Sequence, residues 1–161
     1  MMNLFTLLIT AFSMAVLAAP APAQQRHAVE VQSVSAEPPT CVDGVPASTT
    51  PYNINYAAVK APTAAHGFYD IEPAWDTAHA VGSAMNLYMA HGSDVNEYAS
   101  FKCQYTCNGT PGCVSFFGRF VQVNSTDEHF ECLGFNALLD DSSFTLSSRN
   151  MANGGFNKLC T

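Results

Sequence analysis

The chain has 161 residues, with 13 acidic against 6 basic side chains, a formal net charge of −7 and six cysteines. The basic residues, Arg26, Lys60, Lys102, Arg119, Arg149 and Lys158, are scattered, so no basic patch can be drawn. Nucleic acid and anionic membranes both reward clustered Lys and Arg, and the charge argues against either as a partner.

Residues Leu4 to Leu17 are apolar apart from Thr6, Thr10 and Ser13, and small residues follow from Ala18 to Ala23. A short apolar run ended by small residues is what a signal peptidase reads. It is shorter than the roughly 20 apolar residues a membrane span requires. No Lys or Arg precedes it, which keeps an uncleaved signal anchor as the alternative. The expectation is a signal peptide over 1–19 and a secreted, extracellular protein without membrane insertion. Two N-glycosylation triplets fit that route, at Asn108 (Asn108-Gly109-Thr110) and Asn124 (Asn124-Ser125-Thr126). Pro111 directly after the first weakens it, whereas the second lies in turn-like polar sequence.

Residues 20–65 are rich in Ala, Pro, Ser and Thr without a sustained hydrophobic period, and read as a disordered or loosely structured leader. Within it Tyr52, Ile54 and Tyr56 alternate, as an extended edge segment would. One domain is expected over 66–161. His66 to Pro73 reads as a short strand ended by its proline. Residues 75–91 stay open: Trp75, Ala78, Gly82, Met85 and Met89 fit a helical stripe, but Gly82 and missing caps oppose it. Asp94 followed by Glu97 resembles a capping box, and Val95, Ala99, Cys103 and Cys107 then recur at every fourth position. Asn108-Gly109 and Pro111 supply a stop, which predicts a helix over 94–107. Cys113 to Val123 and His129 to Leu138 read as two strands joined by a polar turn. Another turn is expected at 140–143 and a short strand at Phe144–Leu146, while Gly154-Gly155 loosens the tail before Cys160.

All six cysteines, Cys41, Cys103, Cys107, Cys113, Cys132 and Cys160, follow the signal segment. An even number in an oxidising compartment predicts three disulfides. The spacing offers no C-x-x-C and no His pair for zinc. Six cysteines allow 15 pairings and spacing alone does not choose among them. Local geometry narrows the choice. The Gly109–Gly112 turn can fold Cys113 onto the helix end beside Cys107, which leaves Cys103 to reach Cys132 and Cys41 to reach Cys160.

The run Cys103-x3-Cys107-x5-Cys113-Val114-Ser115-Phe116-Phe117, with Cys132-Leu133-Gly134-Phe135 beyond it, resembles the PAN/apple domain family. The resemblance implies an α+β fold, an antiparallel β-sheet with one disulfide-stapled helix packed across it. It also implies the pairs Cys103–Cys132 and Cys107–Cys113, with an outer Cys41–Cys160 bridge in the six-cysteine form. Cys41 lies 62 positions before Cys103, farther than is usual in the family, which puts the outer bridge in question or implies a segment inserted between Val45 and Ala65.

Catalytic signatures are missing. There is no G-x-S-x-G elbow, H-E-x-x-H motif, P-loop or EF-hand loop. Asp127, Glu128 and His129 form the one local cluster of acids beside an imidazole. It could bind a cation or carry acid–base chemistry, against the plainer reading of a solvated hairpin turn. Asp140-Asp141 likewise reads as a turn before a calcium site. Phe116 and Phe117 must face opposite sides of their strand. One packs on the helix; the other, taken as Phe117, lies on the far face, open to a ligand unless residues 67–91 cover it.

The sequence therefore predicts a non-catalytic recognition module, acting as a monomer without cofactor or metal and binding an extracellular carbohydrate or protein. That role is inherited from the family resemblance. A small secreted effector or cell-wall structural protein on the same scaffold is the alternative, and a small hydrolase with spatially paired carboxylates comes third.

Overall fold

The computed structural model describes residues 38–161 apart from 64 and 93–95. The expected signal segment 1–19, the leader up to residue 37 and the expected helix-start residues Asp94 and Val95 lie outside the described residues. In chain order the elements are β1 (Tyr56–Ala58), β2 (Tyr69–Ile71), α1 (Pro73–His79), β3 (Ala80–Leu87) and α2 (Glu97–Gly109). β4 (Ser115–Val121), β5 (His129–Phe135), β6 (Phe144–Leu146) and β7 (Met151–Lys158) complete the set, with a 3-10 turn at Asp141–Ser143. The class is α+β. A five-stranded antiparallel sheet has the order β1-β7-β4-β5-β3, and β2 and β6 pair as a separate two-stranded sheet.

The helix α2 starts where Asn96 can cap it, its side-chain oxygen accepting from the Ala99 N–H at 3.0 Å. Asparagine satisfies an orphan amide of the first turn, so the cap is Asn96, two residues beyond the expected Asp94. Ala99, Cys103 and Cys107 form the buried stripe as predicted, joined by Ser100 and Gln104. They meet Phe116 and Phe120 of β4, Phe130 and Cys132 of β5, Phe156 of β7, and Ile54 and Tyr56. The opposite face of the sheet forms a second core, where Phe117 and Phe135 pack on Tyr69, Ile71 and Leu139, with Trp75 and Phe144 against them. Burying an aromatic or aliphatic side chain of this size contributes about 1.5–3 kcal/mol. Alternating side chains of one strand thus build both layers.

Three disulfides fasten this frame: Cys41–Cys160, Cys103–Cys132 and Cys107–Cys113. The pairing is the one local geometry favoured, and it includes the outer bridge despite the long separation.

Two expectations are corrected, and the segment 75–91, left open by its sequence, is resolved. The ordered fold begins well before residue 66. Val42 bridges to Leu159, β1 pairs with β7, and the Gln104 amide clasps the Asn55 N–H and the Asn53 carbonyl at 2.9 and 2.7 Å. Residues 75–91 are not one helix. The short helix α1, with Pro73 at its start and the Glu72 carboxylate capping the Trp75 N–H, gives way to a strand at Ala80. Gly82, with φ of +71°, sits within a register shift of that strand and has no place in a continuous helix. The tail is not loose either, because Gly154 and Gly155 lie inside β7, which runs between β1 and β4.

Candidate functional site

The turn between β4 and β5 is shaped by backbone conformation first. Gln122 and Asn124 adopt φ of +55° and +66°, and the Ser125 N–H closes the turn on the Gln122 carbonyl at 3.0 Å. Asparagine is among the few non-glycine residues that enter this region readily. The turn then brings Thr126, Asp127, Glu128 and His129 to the start of β5, next to the end of β3. In the β3–β5 register Asn86 stands opposite Glu131 and Leu87 opposite Phe130. Tyr88 follows directly, fully exposed. Together Asn86, Leu87, Tyr88, Thr126, Asp127, Glu128 and His129 line an open cleft of about 400 Å3.

Three of the four residues singled out as ligand-contact candidates therefore meet in one place, but with different duties. The Glu128 carboxylate accepts from the His91 N–H and from His91 Nδ1, both at 2.7 Å, and from the Asn124 N–H at 2.9 Å. It clamps the segment after β3 to the β4–β5 turn. The His91 backbone N–H chiefly, with the Asn124 N–H and the His91 ring, holds its pKa below the ordinary value against the effect of burial. His129 has both ring nitrogens beside acceptors, Nδ1 at 2.8 Å from the Asp127 carbonyl and Nε2 at 3.0 Å from Glu131 Oε1. The carbonyl first and the carboxylate second favour the imidazolium and raise its pKa. Among the described residues no side chain donates to the Asp127 carboxylate, which faces solvent.

Behind His129 a chain of charges crosses the sheet. Glu131 Oε2 accepts from Arg119 Nε and one terminal nitrogen at 3.0 and 2.7 Å. The other terminal nitrogen of Arg119 bonds Asp70 of β2, and Asp70 also accepts from the Asn150 amide. Burial would lower the guanidinium pKa, but Asp70 and Glu131 outweigh it and raise it. For Glu131, burial raises the carboxyl while Arg119 and His129 together hold it low. This chain ties the two-stranded sheet to the main one through groups that are already matched.

The fourth candidate is elsewhere. Phe117, expected on an open face, is 0 % exposed beneath Tyr69 and Phe144, in the second core. The cover includes residues of the 67–91 stretch. Of the two glycosylation asparagines, Asn124 is exposed on the turn, while Asn108 lies in the last turn of α2 with its Oδ1 accepting from Tyr56 Oη at 2.8 Å. Asp140 caps the 3-10 turn, accepting from the Ser142 N–H and hydroxyl, so Asp140-Asp141 forms a turn. Among the described residues no group of three or more His, Cys, Asp or Glu is placed to hold a metal ion, and no helix is long and apolar enough to cross a membrane.

Tyr88 and Asn86 are what sequence reading missed. Their signal was the alternation Met85-Asn86-Leu87-Tyr88-Met89, in which Met85, Leu87 and Met89 turn to the core and the two between turn away. The helical stripe suggested by the same methionines concealed it.

No family model, no curated protein and no solved structure matches the chain.

Proposed function

We propose that this is a secreted, PAN/apple-like recognition module that binds an extracellular carbohydrate in the Tyr88 cleft without transforming it. The observation that carries the reading is the fully exposed Tyr88 ring beside the Asn86 amide, the Thr126 hydroxyl and the Asp127 carboxylate. An aromatic side chain offers a flat apolar surface with a polar tip, which suits the C–H face of a sugar ring. The flanking amide, hydroxyl and carboxylate have the donors and acceptors that sugar hydroxyls need. Binding is favoured over catalysis because the imidazole and two of the three neighbouring acids are engaged, Glu128 on His91 and Glu131 on Arg119 and His129, which leaves Asp127 without a partner acid or base among the described residues. The helix-over-sheet frame and the three cysteine pairs support the PAN/apple comparison, and the Cys41–Cys160 span is longer than that family usually has.

The test is a glycan array probed with the oxidised protein, followed by calorimetry on any retained sugar. Y88A and D127N should each weaken binding about tenfold, which corresponds to ~1.4 kcal/mol. Retention of a glycan with unchanged affinity in both variants would move the site elsewhere. Absence of glycan retention together with capture of a protein ligand would replace carbohydrate by protein.

A further inference from the structure

A second concavity lies on the β1–β7 side of the main sheet, the edge opposite β3. It holds about 560 Å3, within the range of about 300–1,000 Å3 common for small-molecule sites. Its walls are mostly apolar, with Ile54, Val59, Tyr69, Ala152 and Phe156 from three stretches of chain. Ile54, Tyr69 and Phe156 are almost wholly buried and underlie it, while Ala58, Val59 and Ala61 are the more exposed apolar residues of its wall. Gly154 forms part of its lining. That residue has φ of +134°, and a Cβ there would meet the Phe156 ring at 3.3 Å. Glycine keeps this wall thin and the groove open.

The polar side chains in this lining are Ser48, Tyr69, Glu97 and Asn153, and they are unequal. Asn153 is fully occupied with the backbone of Asn96 and with Ser100, which fixes the start of α2 against β7. Glu97 follows Asn96, and its half-buried side chain lines the groove. Its Oε2 accepts from Ser48 Oγ at 3.2 Å, and among the described residues no basic side chain pairs with it. A carboxylate lining an apolar recess selects a cationic donor and repels an anion. The charge-assisted bond it would form is roughly twice as strong as a neutral one.

We propose that this groove binds a hydrophobic amine, with the apolar tail along Ala58, Val59 and Ala61 and the ammonium group on Glu97. The overall charge of −7 points the same way. The groove and the Tyr88 cleft lie on opposite edges of the sheet, so each can fail without the other.

The experiment titrates the isotope-labelled, oxidised full chain with octylammonium, octanol and octanoate and follows backbone amide shifts. Octylammonium should shift the amides of Ala58, Val59, Glu97, Gly154 and Gly155, and bind about tenfold more tightly than octanol, with octanoate weakest. E97Q keeps an acceptor for Ser48 and should lose the preference for amine over alcohol while still binding octanol. A58W, on the exposed edge strand, should fill the groove and abolish the shifts while the rest of the spectrum stays dispersed. Equal affinity for amine and alcohol in the wild type would overturn the proposal. So would shifts that survive A58W, shifts confined to residues outside the groove, or no shifts at amine concentrations of about 10 mM, where even weak binding registers.

Discussion

Asn153 is the residue whose loss the structure prices most directly. It is 2 % exposed, and its amide makes three hydrogen bonds: Oδ1 accepts from the Asn96 N–H at 2.6 Å, and Nδ2 donates to the Asn96 carbonyl at 3.1 Å and to Ser100 Oγ at 2.7 Å. N153A deletes all three and leaves a pocket at the junction of β7 and α2. A net hydrogen bond is worth about 1 kcal/mol, and a buried group left unpaired costs about 1–3 kcal/mol. Asn96 is only half-buried, so water can replace part of its loss, whereas Ser100 is completely enclosed. The expected destabilisation is therefore about 3 kcal/mol, a large share of the roughly 5–15 kcal/mol of a typical domain. Urea denaturation of the oxidised protein measures it, and amide exchange should accelerate first at residues 96–100. S100A alone should cost less, and the double variant should cost less than the sum, because both singles remove the same bond. A loss below about 1 kcal/mol for N153A, or strict additivity with S100A, would refute this account of how the helix start is held.

Further outcomes follow from other contacts. His129 has a raised pKa, so its contribution to stability is complete below its unfolded value of 6.5 and disappears as pH rises through the raised folded value. H129F should remove that decline from thermal melts as pH rises above 6.5, a change absent if the ring does not bridge Asp127 and Glu131. G118A should destabilise by about 1–3 kcal/mol, because the new Cβ would stand 2.8 Å from the buried Phe130 ring. By contrast G109A, at the end of α2 with nothing within 4 Å and an ordinary backbone, should stabilise by about 0.5–1 kcal/mol in the same denaturation assay. Replacing the cysteine pairs by alanine should cost at most about 5, 4 and 2 kcal/mol for Cys41–Cys160, Cys103–Cys132 and Cys107–Cys113, in the order of their loop lengths of 119, 29 and 6 residues. Denaturation of the three double variants checks the ranking.

Where the chain announces its structure, it does so through spacing. Cysteines four apart on a helix face, and two aromatic-rich runs around a polar turn, made α2, β4 and β5 legible because each pattern has one physical period. The segment 41–58 was harder to read, since its order comes from partners far along the chain: Cys160, Lys158 and Gln104 hold it, and none is visible locally. β7 was hidden for a related reason. Asn153-Gly154-Gly155 looks like a breaker, yet the Asn is a buried hub and the glycines fit where side chains would collide with Leu139, Phe144 and Phe156. At the cleft, the acid–imidazole cluster was visible as composition. Only the strand register could bring Tyr88 to it, and only the hydrogen bonds could separate the clamp Glu128 from the open Asp127.

The bridge between Cys41 and Cys160 also sets how the domain answers mechanical force. Val42 and Leu159 lie side by side next to it, so the two ends of the disulfide-closed unit leave from one point. Tension between whatever precedes Cys41 and whatever follows Cys160 then passes through a single covalent link and bypasses the sheet. Strands β1 and β7, which would otherwise peel apart one hydrogen bond at a time, carry no load while that link is intact. Pulled from those two ends, the domain would load that one bond first, and its reduction would leave a strand that unzips.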